Sequence, residues 1–224
     1  LRGSLGAAGL ALRGPGGAAP QALPAAARPQ AQPQTSQCCP PFAVGVPDAA
    51  DAGVLASLHG DYVDCHRQLH AGGAGGGGCA ADWEDALGRV DFASVLDEVV
   101  ATHARGTVRL VKATSGGRCI GYVLYELRKK GPARSRQHFC ELVNIVVRPE
   151  QRGCGAGRRL FEALERDLET TASREARDMR LYVAERNGGP REWYRRMGFE
   201  DAGWQTEQVG GEQVRFLRMV RRRQ

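Results

Sequence analysis

The sequence has no hydrophobic run that approaches the roughly 18 to 20 consecutive apolar residues needed to cross a membrane. It also has no acidic residue before Asp48, and Arg2, Arg13 and Arg28 are the only charged residues in that stretch. The first absence predicts a soluble protein with no membrane partner. The second sets an N-terminal arm, residues 1–40, apart from the rest of the chain.

The arm is rich in Ala, Gly, Pro and Gln. A segment of this composition buries too little apolar surface to offset the conformational entropy that folding removes, so we interpret it as a disordered low-complexity arm. Its lack of acidic residues also suits a cleavable organelle transit peptide, although it contains little Ser. We therefore expect a cytoplasmic protein, with a plastid or mitochondrion as the alternative if the arm is a transit peptide.

The net charge of +6 is concentrated at the two ends of the chain. Three of the excess cations are in the arm, and three more are Arg221, Arg222 and Arg223. The middle of the chain is close to neutral, which removes most of the argument for a protein that binds the phosphate backbone of a nucleic acid. We expect no nucleic-acid partner.

The seven cysteines lack the paired spacing of a zinc site and the regular framework of a disulfide-rich domain. Their number is odd, and no secretion signal is recognisable. These features indicate ordinary buried thiols in a reducing compartment, so no structural metal is expected.

The remaining length suits one domain, residues 41–224, interrupted by a flexible Gly-rich insertion at residues 71–79. Before the insertion, a short strand is followed by an amphipathic helix, and helical patterning resumes after it. Alternating and continuous apolar runs then predict a β-hairpin, a further strand covered on both faces, and the order βββ-α-β-α-β. This order indicates α+β architecture around one mixed sheet.

A Gly-rich turn stands between a predicted strand and a predicted helix in "VVRPEQRGCGAGRRLF", residues 146–161. Backbone amides in the first turn of a helix have no intrahelical partner, and they lie at the positive end of the helix dipole. Glycines let the main chain approach a ligand, so the turn is a candidate anion site, and a pyrophosphate is the ligand that suits it best. It is not a P-loop, because Arg158 and Arg159 occupy the positions of Lys and Ser or Thr, and it lacks the third spacing of a dinucleotide fingerprint.

The segment "RGCGAG", residues 152–157, resembles the RxxGxG motif that binds the coenzyme A pyrophosphate in GNAT N-acetyltransferases. A second element, "LYVAERNGGPREWYRRMGFE", places Asn187, Tyr194 and the pair Gly198 and Phe199 at that family's intervals. The resemblance implies a mixed, mostly antiparallel central sheet flanked by helices. It also implies acetyl-CoA as co-substrate, a monomer or homodimer, and an acceptor that carries a primary amine: a protein N-terminus, a lysine or a small amine.

The resemblance assigns cofactor contacts to the turn, the strand before it and the helix after the next strand. In the family, the two strands beside the turn splay apart, and the main chain of the first strand bonds the inserted pantetheine. Asn187 would either bond the pantetheine arm or cap its helix, and Arg158 would either contact a phosphate or remain a solvated cation. The predicted cofactor-binding residues are Ile145, Val146, Val147, Arg152, Gly153, Cys154, Gly155, Ala156, Gly157, Arg158, Asn187 and Tyr194.

Two residues are candidates for acid and base, because acyl transfer needs a neutral amine and a protonated leaving thiolate. Tyr194 matches the family's leaving-group acid, and a phenol is protonated at neutral pH. Glu141 resembles the strand-borne base of the histone acetyltransferase branch, and its apolar neighbours would raise its pKa. The alternatives are a core aromatic for Tyr194, and a solvent-facing or Arg-paired residue for Glu141.

The acceptor is the least predictable part. The segment "LVNIVVRPEQRG" also resembles enzymes that acetylate the N-terminal residue of a ribosomal protein, but Tyr182 stands where those enzymes carry a glutamate. The regions expected to form the acceptor groove are "DYVDCHRQLH", "RKKGPARSRQ" and "GWQTEQVGGEQ". The uncertain base leaves an alternative function, a catalytically weak or inactive acyl-CoA-binding module.

Overall fold

The computed structural model describes residues 41–70, 80–87, 89–102, 106–130, 137–170, 176–209 and 211–222. The predicted arm, the Gly-rich insertion and residues 131–136 of the "RKKGPARSRQ" region lie outside the described residues. Within the described ranges, seven strands form one sheet in the order β1-β2-β3-β4-β5-β7-β6. The elements are β1 (Phe42–Gly45), α1 (Ala52–His70), α2 (Ala80–Leu87), α3 (Phe92–Ala101), β2 (Val108–Ser115), β3 (Arg118–Lys130), β4 (Gln137–Val147), α4 (Ala156–Thr170), β5 (Ala176–Ala184), α5 (Gly188–Arg196), β6 (Glu200–Val209) and β7 (Glu212–Arg222).

The sheet is antiparallel except for one pair of strands. β2 and β3 form the predicted hairpin, and β3 continues antiparallel to β4. β4 and β5 run parallel, and they pair only from His138↔Ala176 to Glu141↔Arg180. The predicted fold class, a mixed and mostly antiparallel sheet flanked by helices, is confirmed.

Helices cover both faces of this sheet. α4 packs on one face, where its Leu160 and Phe161 join a cluster with Val123. α1 and α3 pack on the other face, where Leu55 joins a cluster with Leu124. Successive strand residues point to opposite faces, so a central strand covered on both sides is apolar at nearly every position. That is why β4 was recognisable in the sequence.

Gly121 lets β3 and β4 approach closely at the end of β4. A Cβ atom at residue 121 would lie 2.5 Å from the Val146 carbonyl oxygen and 3.2 Å from Val147 Cα. A side chain cannot come this close to backbone, so the position requires glycine. The contact fixes the two strand residues that precede the Gly-rich turn.

Two elements differ from the sequence prediction. The predicted order omits β6, an edge strand with mostly exposed side chains and no apolar alternation in its sequence. β6 forms through its antiparallel pairing with β7, and its own sequence contains no strand pattern that would predict it. The single helical stretch predicted after the insertion is two helices, because Asp91 caps α3 by accepting hydrogen bonds from the Ala93 and Ser94 amides.

The cysteines are of more than one kind. Cys119 and Cys140 are buried thiols, as expected, but Cys65 is exposed and Cys154 is disulfide-bonded. The expectation of ordinary buried thiols is therefore wrong for these last two residues.

Among the described residues, no group of three or more His, Cys, Asp or Glu is arranged to hold a metal ion. No helix in the same ranges is long and apolar enough to span a bilayer.

Candidate active site

The separation of β4 and β5 opens a cavity in the middle of the sheet. Pairing between the two strands stops at Glu141↔Arg180, and the following half of each strand lines a cavity of about 730 Å³. The Gly-rich turn, α5 and α1 contribute the other walls. This volume is typical of small-molecule sites. The cavity lies where the sequence analysis expected a pantetheine arm to insert, and Ile145, Val146 and Val147 line it.

The Gly-rich turn closes one end of the cavity at the start of α4. Gly153 and Gly155 have φ values of 79° and 84°, a backbone region that favours glycine. The Arg159 amide donates the first helical hydrogen bond, 3.0 Å long, to the Gly155 carbonyl oxygen. The three amides before Arg159 have no intrahelical acceptor and lie at the positive end of the helix dipole. This end of the cavity is therefore suited to an anion.

The side chains of the turn play different parts. Arg152 Nε donates a 3.1 Å hydrogen bond to the Val147 carbonyl oxygen and so closes the turn onto β4. Arg158 lines the cavity, but its Nε lies 3.0 Å from Glu162 Oε1 on the same helix. α4 begins at Ala156, which is buried. Ala156 and Cys154 are the predicted cofactor residues of this turn that do not line the cavity.

Tyr194, the predicted acid, lines the cavity from α5. Its ring is buried against Trp193 and Phe199, with ring centroids 5.0 Å and 5.6 Å away. Burial raises the pKa of the Tyr194 phenol above its usual 10.0, and Tyr62 of α1 acts in the same direction. The phenol therefore stays protonated over the neutral and mildly alkaline range and can donate a proton.

Glu141, the predicted base, is the last residue of β4 that pairs with β5, and it does not line the cavity. Its Oε2 is 2.8 Å from Arg128 Nε, which is the Arg pairing that the sequence analysis gave as the alternative. Burial raises the pKa of the Glu141 carboxyl, and the cations Arg128 and Arg180 oppose that shift. The structure therefore brings Tyr194 and the turn into one cavity and places Glu141 at its edge.

Asn187 precedes α5, but its side chain makes no capping hydrogen bond. Its Nδ2 instead lies 3.3 Å from His66 Nε2 of α1. His66 Nδ1 lies 3.0 Å from the Tyr62 carbonyl oxygen one helical turn earlier. Of the two roles predicted for Asn187, the cap is absent, and the cofactor contact stays a prediction.

The α1 wall is the part of the site that sequence reasoning did not assign residue by residue. Tyr62, Cys65 and His66 line the cavity, although the sequence analysis named only their segment as an acceptor region. The sequence contained a signal: His59, His66 and His70 recur at helical spacing along with Leu55, Leu58 and Val63. The structure buries all six on one side of α1. Buried polar side chains need partners, so histidines on an apolar helical face indicate a specific contact on the neighbouring element.

Comparisons with known proteins agree with this geometry. The sequence profile described as the acetyltransferase (GNAT) family matches residues 78–199, more than half of the chain. No curated protein matches it.

Solved structures share the fold at low sequence identity. A ribosomal-protein-alanine N-acetyltransferase from Brucella melitensis is 21% identical with a TM-score of 0.57, over 80% of this chain and 99% of that one. The PaiA N-acetyltransferase from Thermoplasma acidophilum, in complex with coenzyme A, is 16% identical with a TM-score of 0.54, over 81% and 99%. YncA from Salmonella typhimurium, a putative acetyltransferase with its cofactor acetyl-CoA, is 17% identical with a TM-score of 0.55, over 81% and 93%. At these identities the likeness shows the fold.

The fold and the profile match define the class of the protein as an acetyltransferase. The chain belongs to the acetyltransferase (GNAT) family.

Proposed function

We propose that the protein is an acetyl-CoA-dependent N-acetyltransferase in which a primary amine attacks the thioester directly. The observation that carries the proposal is the cavity between β4 and β5, which ends at the first-turn amides of α4 that lack an intrahelical acceptor and is lined by Tyr194. The coenzyme A and acetyl-CoA bound by the Thermoplasma and Salmonella proteins support acetyl-CoA as the co-substrate.

The cofactor's charged and extended parts match different walls of the cavity. The pyrophosphate binds the amides between Gly153 and Arg158, where the helix dipole favours negative charge. The pantetheine arm lies along the half of β4 that β5 leaves unpaired, from Leu142 to Val147. This arrangement holds the thioester rigidly, and positioning of two reactants can contribute about 7 to 11 kcal/mol to lowering a barrier.

The proposed chemistry uses two proton transfers. The neutral amine attacks the thioester carbonyl, a C–N bond forms and the C–S bond breaks. Glu141, directly or through a water, takes the proton that the amine loses, and Tyr194 donates a proton to the departing thiolate. The products are an acetylated amine and coenzyme A. The raised pKa of Glu141 supports its assignment, because a carboxylate with a raised pKa is a better base. The buried Tyr194 phenol remains protonated and so still carries the proton that the thiolate needs.

The acceptor is proposed to approach from the α1 and α3 side of the sheet. Tyr182 lines the cavity there and is 41% exposed; partial burial raises the pKa of its phenol, and the nearby Glu141 carboxylate acts in the same direction. The Brucella neighbour's acceptor supports a peptide N-terminus. Tyr182, however, stands where such enzymes carry a glutamate, so lysine and small amines belong in the same test.

The test is a thiol-release assay with acetyl-CoA against peptide N-termini, lysine peptides and small amines, with calorimetry of coenzyme A in parallel. We expect micromolar cofactor binding and amine-dependent thiol release. Binding without thiol release from any amine would instead indicate the inactive acyl-CoA-binding module, which the engagement of Glu141 by Arg128 favours. Absence of binding would overturn both functions.

A further inference from the structure

The imidazole of His66 is held in one tautomer by its own helix. A carbonyl oxygen only accepts hydrogen bonds, so the 3.0 Å contact between His66 Nδ1 and the Tyr62 carbonyl places the proton on Nδ1. In the neutral ring, Nε2 then carries the lone pair. His66 therefore presents a hydrogen-bond acceptor toward Asn187.

This acceptor decides which way the Asn187 amide faces. Asn187 Nδ2, 3.3 Å from His66 Nε2, donates to it. The other end of the amide, Oδ1, has no hydrogen-bond partner within the described part of the chain, and Asn187 lines the cavity. The amide consequently offers an acceptor to the cavity, and an acceptor is what an amide N–H of the pantetheine arm requires.

We propose that His66 is a positioning residue for the cofactor: in its neutral form it turns Asn187 Oδ1 toward the pantetheine, and its protonation reverses the amide and weakens cofactor binding. This inference rests on the proposed function, since it assigns a regulator to the same site. It adds a residue of α1 to a cofactor site otherwise built from β4, the Gly-rich turn and α5.

Protonation has this effect because it converts His66 Nε2 from a hydrogen-bond acceptor into a donor. A protonated imidazole donates from both nitrogens, so Nε2–H faces the Asn187 amide as a donor. The amide must then turn Oδ1 to His66 and Nδ2 to the cavity, where one N–H faces another. Losing a hydrogen bond between partners that stay buried lowers affinity by roughly three- to tenfold.

The surroundings of His66 favour the neutral form at neutral pH. His66 is 4% exposed, and burial lowers the pKa of its imidazole below the usual 6.5, with His70 acting in the same direction. The Trp83 ring of α2 lies 6.2 Å away. In the described ranges, the titratable groups that act on this part of α1 are Tyr62, Cys65 and His70 on the helix itself, Tyr194 of α5 beside Tyr62, and Glu185, Arg186 and Glu212, which act on His70. The charged pair Asp64 and Arg67 lies on the exposed side of the same helix, with side chains 52% and 42% exposed.

The experiment is calorimetry of 3′-dephospho-CoA from about pH 7.5 to about pH 5.5, with folding checked by circular dichroism at each pH. This probe lacks the phosphomonoester of coenzyme A, whose ionisation at a pKa of about 6 would add its own pH dependence. For the native protein, we expect affinity to fall as the pH drops toward the lowered pKa of His66, by up to roughly three- to tenfold once the imidazole is protonated. His66→Gln cannot titrate and should bind with nearly constant affinity.

Two further variants separate positioning from a general structural role. His70→Gln is the matched control, because His70 is a buried histidine one turn along the same helix that makes no contact with Asn187 in the described residues. It should keep a loss of affinity on acidification, shifted slightly to higher pH because His70 helps to lower the pKa of His66. Asn187→Asp offers acceptors at both ends, so a protonated His66 pairs with one oxygen and leaves the other for the cofactor. Its affinity should hold or rise on acidification.

The outcomes distinguish this inference from the proposed function. If the native protein binds the probe and His66→Gln retains its pH dependence, or if Asn187→Asp weakens on acidification as the native protein does, the positioning role is wrong and the proposed function stands. If the native protein binds neither the probe nor acetyl-CoA at any pH, the proposed function itself fails. Nitrogen-15 NMR of the histidine rings adds a direct check, because an Nε2–H tautomer at neutral pH would contradict the orientation argued for Asn187.

Discussion

Glu126 and Glu141 face each other across β3 and β4 and share one cation, Arg128. Arg128 Nη2 is 2.8 Å from Glu126 Oε2, and Arg128 Nε is 2.8 Å from Glu141 Oε2. Like charges directly opposite each other destabilise a sheet, and the shared guanidinium offsets that repulsion. The pKa of each carboxyl is nevertheless raised, because burial outweighs the cation for both.

This pair provides a controlled test of the base. Glu141→Gln should lower kcat by about two orders of magnitude, the usual contribution of a general base. It should also remove the rise of rate with pH, since a base with a raised pKa works only above that pKa. Glu126→Gln removes a matched carboxylate from the same arginine and should keep both the rate and the profile. A Glu141→Gln enzyme that retains the acid limb of the native pH–rate profile would exclude Glu141 as the base.

Tyr194→Phe tests the acid. We expect kcat to fall about 100-fold while calorimetric affinity for coenzyme A changes less than about threefold, because the lost hydroxyl acts on the leaving thiolate. The buried ring should still pack against Trp193 and Phe199. Tyr182→Phe, at an exposed phenol of the same cavity, is the control for removal of a hydroxyl. Equal losses of kcat in the two variants would argue against a specific role for Tyr194.

The anion site at the Gly-rich turn is tested by the isosteric pair of variants Gly155→Asp and Gly155→Asn. Both introduce a side chain at φ 84°, which Asn and Asp tolerate better than other residues, and open space surrounds the position. The variants therefore differ mainly in charge. Asp should weaken coenzyme A binding at least about tenfold more than Asn, because it places a carboxylate beside the pyrophosphate. Equal affinities for the two variants would mean that the phosphates bind elsewhere.

A buried ion pair under α4 predicts an asymmetric effect on stability. Arg109 is 4% exposed, its Nε lies 3.8 Å from Asp167 Oδ2, and the Tyr125 hydroxyl donates a 2.8 Å hydrogen bond to the same oxygen. Asp167→Asn should lower the free energy of unfolding by about 3 kcal/mol, because it leaves the guanidinium buried without an anion. Arg109→Met should cost under about 1.5 kcal/mol, since it removes the buried charge itself. Urea denaturation of both variants measures the two values, and a larger loss for Arg109→Met would contradict this account.

Acid should destabilise the fold through α1. Burial lowers the pKa of His66 and His70 below the usual 6.5, so the unfolded chain takes up protons that the folded chain does not. Stability is therefore complete above the unfolded pKa and falls as the pH drops from about 6.5 toward the lowered folded values. The double variant His66→Gln, His70→Gln should have a melting temperature that depends less on pH in that range. An unchanged difference in Tm between about pH 7.5 and about pH 5.5 would show that these histidines do not contribute.

The sequence predicted the parts of the fold that local patterns determine. β4 is apolar on both faces, the β2–β3 hairpin alternates around a turn, and the Gly-rich turn stands between an apolar strand and an amphipathic helix. β6 was missed because an exposed edge strand needs neither face to be apolar, and its partner β7 determines it. Asp91 was not predicted to divide the second helical stretch.

The candidate site follows the same division. Short motifs in one region of the chain grouped Gly153, Gly155 and Tyr194, and all three line the cavity, while their roles stay predictions. The contact between His66 and Asn187 joins residues 121 positions apart, and neither residue has a motif that names the other. The engagement of Glu141 by Arg128 also depends on strand register, which the sequence alone did not supply.

The close approach at Gly121 gives β3 control over a ligand that β3 does not line. The carbonyl of Val146 is held against residue 121. Any side chain at residue 121 would therefore push the half of β4 that does not pair with β5 toward the β5 side of the cavity. The width of the cavity that would hold the cofactor therefore depends on Gly121, although Gly121 does not line that cavity. Substitutions at residue 121 should therefore lower activity without changing any side chain that lines the cavity.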